Sequence, residues 1–443
     1  MRILFAKTPD IFKGSAISFF LKVTSFILGY ILHFLIAKIY GASSVGIYSI
    51  IQTLINIFVV LSVMGLDTTS LRLISQYKDG FNTNVSGYYY KRITIFILFS
   101  SSVVTSLVLA ISPVIKESFF GDINSYIPII VVAIAIPFMS LLKVTSESFK
   151  GFNKVKSASL FIFVLVPLFN IIFIVILDLI NSNGYLMPLI TYLCSLIISS
   201  LLCFYFLLKY LYRTRTESKT VKNVSYRSLL KISLPMLVTS SMLLIMSWTD
   251  ILMIGYFMNT NDVGIYSIAV KVATITSFTL TAVNTISAPK FSELFWKKEI
   301  IGLKKIVETS SKLIFLSSTP ILFFIFFFSK DILSLFGKEF IGGWFVLIIL
   351  GMGQFINSIT GSVGYLLNMT GNQKVYRNIA ITSALCNILL NFILIPLFGL
   401  MGAAIATAFS TALLNIGSTI QVKRIFGWWT IYIPFINLIK KAL

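Results

Sequence analysis

Acid–base and redox chemistry have little to work with here: 443 residues contain one histidine, three cysteines and 15 aspartates and glutamates, against 36 lysines and arginines. His33 alone cannot build a metal centre, so no metal or catalytic residue is expected. Cys194, Cys203 and Cys386 fall inside apolar runs and read as packed free thiols, not as a disulfide framework. There is no GxxxxGK[ST] phosphate loop. Long polar loops are missing too, which argues against a membrane glycosyltransferase or polymerase with a catalytic site held outside the bilayer.

Charge of either sign is scarce at 12%, while 57% of residues are hydrophobic; soluble domains carry roughly 25% charged residues. Apolar stretches of about twenty residues, each able to cross roughly 30 Å of hydrocarbon as a helix, recur about twelve times. The expected spans are 15–37, 45–67, 93–112, 126–148, 158–177 and 185–208 in the first half. The second half supplies 229–257, 264–286, 310–329, 342–368, 378–397 and 401–419. Continuous apolar runs exclude a strand barrel, which shows ten-residue alternating segments. The first run is too long for a cleaved leader and lacks a small-residue cleavage site, so it is expected to stay as an anchor.

The net charge of +21 is sorted by loop. If the spans alternate, about 29 basic residues lie on one side and about four on the other, Lys38, Lys116, Lys330 and Lys338. The basic side is therefore read as cytoplasmic, with both termini on it, in a cell's inner or cytoplasmic membrane. The charge serves topology and anionic lipid, not nucleic acid. Sequons at Asn84, Asn223 and Asn368 fall on or near that side and should carry no glycan.

The hexapeptide VGIYSI occurs at Val45 to Ile50 and again at Val263 to Ile268, about 218 residues later. FFG at Phe119 to Gly121 is matched by LFG at Leu335 to Gly337, and GFNKV at Gly151 to Val155 by GNQKV at Gly371 to Val375. Three landmarks in nearly one register make each half a repeat. The expected fold is an all-α integral membrane protein of about twelve helices, in two parallel six-helix repeats around a central cavity. The N-lobe is 1–208, a basic linker 209–231, the C-lobe 232–420, and a basic tail 421–443 contains the aromatic stretch 426–438, read as an interfacial helix. Two such lobes rocking about a cavity describe a transporter.

Two stretches, SWTDILMIGYFMNTNDVGIYSIAVKV (Ser247 to Val272) and GNQKVYRNIAITSALCNILLNFILIPLFGLMGAAIATAFS (Gly371 to Ser410), resemble the Wzx-like polysaccharide-export flippases of the MOP (multidrug/oligosaccharidyl-lipid/polysaccharide) superfamily. AKIYGASSVGIYSI is the first-lobe version, and the resemblance extends over essentially the whole chain. It implies a twelve-helix flippase that carries a polyprenyl-pyrophosphate-linked oligosaccharide to the outer leaflet for O-antigen, capsule or exopolysaccharide assembly. The alternative within the superfamily is a cation-coupled multidrug exporter; a third reading is a scaffolding subunit of an envelope-polysaccharide complex. The implied partners are the lipid-linked glycan, membrane lipid, a polysaccharide polymerase and other envelope-assembly proteins, with the transporter working as a monomer. No cofactor is implied beyond a coupling Na⁺ or H⁺.

Ionisable residues inside spans are costly and become candidates. Lys22 and Lys271 suit a pyrophosphate as mobile point charges, or they snorkel to an interface. Lys143 and Glu147 are spaced to pair along one helix face; if the pair opens, Lys143 becomes a third phosphate contact. His33 is a hydrogen-bonded interior residue or a proton site. Asp250, Asp67 and Glu147 are candidates for ion coupling or gating, Asp67 also as a helix-end partner. Asn387 and Asn391, one turn apart, bond across helices or touch sugar hydroxyls. GAAIATAFS (Gly402 to Ser410) allows close helix approach. In the repeat register Asp250 falls opposite Leu32, Lys22 opposite Ser240 and Lys271 opposite Thr53.

Overall fold

The computed structural model describes residues 8–77, 83–121, 123, 125–180, 184–213, 233 and 244–432, with side chains described from residue 20 on, apart from 76, 77, 83 and 84. The chain divides into two compact units, Met1–Ser241 and Met242–Leu443. Among the described residues there are helices and no strand. Residues 214–232, most of the expected linker, lie outside them, as do Asn223 and the side chain of Asn84.

The first unit opens with α1 (Thr8–Val63), whose two rods meet at Gly41 with φ 80° and ψ 180°. Glycine adopts that conformation without steric penalty. It is followed by α2 (Leu66–Tyr77), α3 (Thr83–Ala110), α4 (Ser112–Phe120) and α5 (Ile127–Gly151). Next, α6 (Val155–Ser159) passes through a π-helical stretch, Leu160–Leu165, into α7 (Val166–Leu179), and α8 (Met187–Arg213) ends the described part of the unit's bundle. Pro113 and Pro128 sit in first turns, where their missing N–H has no helical partner to lose, whereas Pro167 follows directly on the π-helical stretch.

The second unit contains α9 (Leu244–Phe257), α10 (Thr260–Ala273), α11 (Ile275–Trp296), α12 (Ile300–Phe327) and α13 (Ser329–Phe336). A 3₁₀ turn, Lys338–Gly343, leads to α14 (Trp344–Thr360), α15 (Val363–Met369), α16 (Gln373–Phe398) and α17 (Leu400–Phe426). Asn259 caps α10 by accepting the Asp262 N–H at 2.9 Å.

Among the described residues nine helices are long and apolar enough to cross a membrane, and the α10–α11 pair, bent by 42°, makes a tenth. With α1 divided at Gly41 and the shorter α9 included, each of the twelve expected spans has a helical counterpart. Three local expectations change. The eighth span is bent at Thr274 and continues to Trp296. The tenth is interrupted at Gly361, which has φ 71°. The aromatic stretch begins no helix: α17 stops at Phe426, Gly427 takes the left-handed conformation, and 427–432 is irregular, with 433–438 outside the described residues.

Lipid is as apolar as leucine, so hydrophobicity does little to hold helix to helix here, and polar contacts and close packing take over. Large side chains such as Phe99, Leu179, Phe327 and Leu397 point outward. Inside the first unit Ser70 and Ser148 hydroxyls meet at 2.7 Å, Tyr90 and Thr145 at 2.9 Å, and Ser100 donates to the Ser62 carbonyl at 2.8 Å. In the second, Ser310 donates to Ser287 at 2.9 Å and Ser277 to Gln354 Oε1 at 2.8 Å. The α16–α17 turn is tighter still: a Cβ on Gly402 would lie 2.1 Å from the Leu394 carbonyl oxygen. Gly402→Ala should therefore cost about 1–3 kcal/mol. Unfolding of the purified protein in detergent would show it, and an unchanged transition would mean that the turn relaxes freely.

Candidate cation site and charged residues

The second unit gathers its candidates around one carboxylate. Asp250, on α9, is 4% exposed and takes hydrogen bonds from three other helices. Its Oδ2 accepts from the Tyr266 hydroxyl of α10 at 2.8 Å and from the Thr407 hydroxyl of α17. Its Oδ1 accepts from Asn391 Nδ2 at 2.8 Å and, more loosely, Asn387 Nδ2 at 3.4 Å, both on α16. The sequence pattern explains the convergence: Asn387 and Asn391 are one turn apart, and Tyr266 belongs to the repeated hexapeptide. Thr407 lies in the small-residue stretch that lets α17 come close.

All four donors are neutral. A buried carboxylate held only by neutral donors retains much of its desolvation cost, which a proton or a bound cation would remove. Two further oxygens are at hand. Asn387 Oδ1 and Asn391 Oδ1 are buried without hydrogen-bond partners among the described residues. Carboxylate, amide and hydroxyl oxygens are the donor set of a hard cation, and a rotated asparagine can present its oxygen in place of its NH₂.

The first unit repeats the design without the charge. Tyr48, the hexapeptide's other tyrosine, accepts hydrogen bonds from Gln52 Nε2 at 2.9 Å and Asn170 Nδ2 at 3.1 Å, Asn170 coming from α7. The side chain reaching Tyr48 from the preceding rod is His33, whose ring meets it edge-on at 5.6 Å. His33 is buried and its Nδ1–H donates to the Gly29 carbonyl at 2.9 Å. Tyr192 closes the other side of Tyr48 at 5.6 Å. Leu32, opposite Asp250 in register, is buried and apolar.

The remaining candidates scatter. Glu147 forms its ion pair with Lys150, three residues on, and not with Lys143. Either partner suits a helix face, and Lys150 wins at the helix end, where the half-exposed pair keeps its hydration. Lys143 is half-buried, within electrostatic range of Asp67, and forms no ion pair with it among the described residues. Asp67 sits in the first turn of α2 and accepts the Thr68 N–H at 2.7 Å, a helix-end placement. Lys22 is exposed on the first rod of α1. Lys271 is half-buried in the last turn of α10, where the Thr274 hydroxyl donates to its carbonyl at 2.8 Å, so it stands at the bend of the eighth span. All three cysteines are free. Tyr266, Thr407, Tyr48, Gln52 and Asn170 are the site residues that sequence reasoning missed. The repeated hexapeptide was itself the signal for the two tyrosines.

Comparison with known proteins places these features. The model of the polysaccharide biosynthesis protein family matches residues 11–295, and the MatE model matches residues 235–393. A probable low-salt glycan biosynthesis flippase, Agl15 of Haloferax volcanii, is 31% identical over 42% of this chain and 41% of its own length. An uncharacterized membrane protein of Methanocaldococcus jannaschii, MJ1068, is 26% identical over 86% of this chain and 78% of its own. The capsular polysaccharide biosynthesis protein CapF of Staphylococcus aureus is 26% identical over 37% of this chain and 41% of its own. The match thus spans about two fifths of the length of Agl15 and CapF. Among solved structures, an inward-facing multidrug resistance MATE family transporter of the MOP superfamily aligns with TM-score 0.72 and 13% identity, over 91% of this chain and 94% of its own. The lipid II flippase MurJ in an inward closed conformation aligns with TM-score 0.69 and 17% identity, over 93% and 87%. These two show a shared fold.

Proposed function

The chain belongs to the polysaccharide biosynthesis protein family, and from that premise we propose that it is a flippase for lipid-linked glycans. The family match over residues 11–295 carries the reading, and the names of Agl15 and CapF support it. The cargo is an oligosaccharide on a polyprenyl pyrophosphate, moved from the cytoplasmic to the outer leaflet by alternating access, with both termini cytoplasmic. Lysines such as Lys271 meet the pyrophosphate as exchangeable point charges. The Asp250 cluster binds the coupling Na⁺ or H⁺; the two unpartnered asparagine oxygens beside a buried carboxylate support that assignment.

Depleting the protein from its native cell and following polyprenyl-linked glycans by lipid extraction and outer-face accessibility tests the cargo. The expected result is accumulation on the cytoplasmic leaflet with loss of surface glycan. Unchanged lipid-linked pools would instead favour a cation-coupled exporter of small amphipathic drugs. The MatE match over residues 235–393 and the MATE-like fold make that the second reading.

A further inference from the structure

The tenth span is broken where its counterpart in the first unit is not. α14 ends at Thr360 and α15 starts at Val363, whereas α5 runs uninterrupted from Ile127 to Gly151. A side chain at Gly361 has no room, since a Cβ there would lie 2.3 Å from Ser311 Oγ. Interrupted helices survive in hydrocarbon only where protein or water satisfies the freed backbone groups.

Protein does so here. After Gly427 the chain turns back along α15. Lys423 Nζ holds Trp429 at 4.2 Å from the ring centroid, and Trp428 packs against the cluster that contains Val363, Leu366 and Leu367. The Tyr432 ring lies 5.7 Å from that of Phe315 on α12, and its backbone N–H donates to the Ile359 carbonyl at 3.4 Å. Between these two anchor points in sequence Thr430 is buried. The closure is incomplete in one respect. Ser311 Oγ, Ser362 Oγ, Thr430 Oγ1 and Trp428 Nε1 are all buried without a hydrogen-bond partner among the described residues. Each such orphan costs about 1–3 kcal/mol, a cost that contact with water removes.

We propose that Gly427–Tyr432 is a latch over the interrupted tenth span: docked, it seals the break, and lifted, it admits water to Ser311, Ser362 and Thr430 and frees α15 to move against α14. Among the described residues the seal is held by aromatic packing and a backbone bond, and it is opposed by the four buried polar groups that lack a partner there. The device is independent of the cargo.

Maleimide labelling of the full-length protein in membranes, with Cys194, Cys203 and Cys386 replaced by alanine and Ser362→Cys introduced, tests this by peptide mass at position 362. Labelling should proceed, and an Ile359→Cys/Tyr432→Cys disulfide should slow it by at least about tenfold, reversibly with reductant. Ending the chain after Gly427 should accelerate it. Equal rates with and without the disulfide would show that the segment gates nothing. Labelling only after truncation would show that the segment never lifts. Either result overturns the proposal, and the disulfide arm decides alone if the truncated chain fails to fold.

Discussion

Asp250→Asn should yield a folded protein that no longer responds to Na⁺ or to protonation if the proposed cation assignment holds. Asparagine has nearly the shape of aspartate: its one oxygen can still accept from Asn391, and its NH₂ can donate to the Tyr266 and Thr407 hydroxyls once these turn, so the contacts among α9, α10, α16 and α17 survive. What disappears is the charge. Cation affinity should fall by at least about 10–100-fold, the loss that follows removal of even a supporting group around a bound ion. Purified protein titrated with NaCl against KCl, and across pH, reads this as ligand-induced thermal stabilisation, since whatever binds the folded state raises its stability. The unaltered chain should be stabilised by Na⁺ or by protonation and the variant by neither. Equal stabilisation of both would place the cation elsewhere.

Lys271→Ala should cut delivery of surface glycan by roughly tenfold to a hundredfold, which corresponds to losing one charge-assisted hydrogen bond to a phosphate oxygen. The residue stands at the bend of the eighth span, half-buried beside Thr274, and a cation inside a span characteristically faces the bundle interior or a wet cavity. Lys271→Arg separates the roles. A purely structural cation is replaced without loss, whereas a site that must release the phosphates again is slowed by a bidentate guanidinium. Surface glycan at matched expression is the readout. Full activity of the alanine variant would remove Lys271 from the cargo path.

The spans were legible because hydropathy over twenty residues is a strong signal, and the repeat was legible because one hexapeptide survived twice. Asp250, Asn387 and Asn391 were visible singly, as a charge and two amides inside apolar runs. Their convergence was not, because it depends on how α9 and α16 are placed in three dimensions. Thr407 escaped for a different reason: serine and threonine hydroxyls are common throughout these helices, and many simply bond back to a carbonyl one turn earlier, as Thr249 does to Ile245 at 2.8 Å. The Glu147 pairing turned on a choice between positions three and four residues apart, which spacing does not resolve. The interruption at Gly361 left no mark in composition, since a positive φ at a glycine leaves hydropathy untouched.

The two tyrosine cages also show a duplicated scaffold put to unequal use. Leu32, not His33, stands opposite Asp250 in register, so the histidine facing Tyr48 and the aspartate facing Tyr266 come from neighbouring, non-equivalent positions. One tyrosine, kept twice, therefore donates to a carboxylate in one half and accepts from an amide in the other.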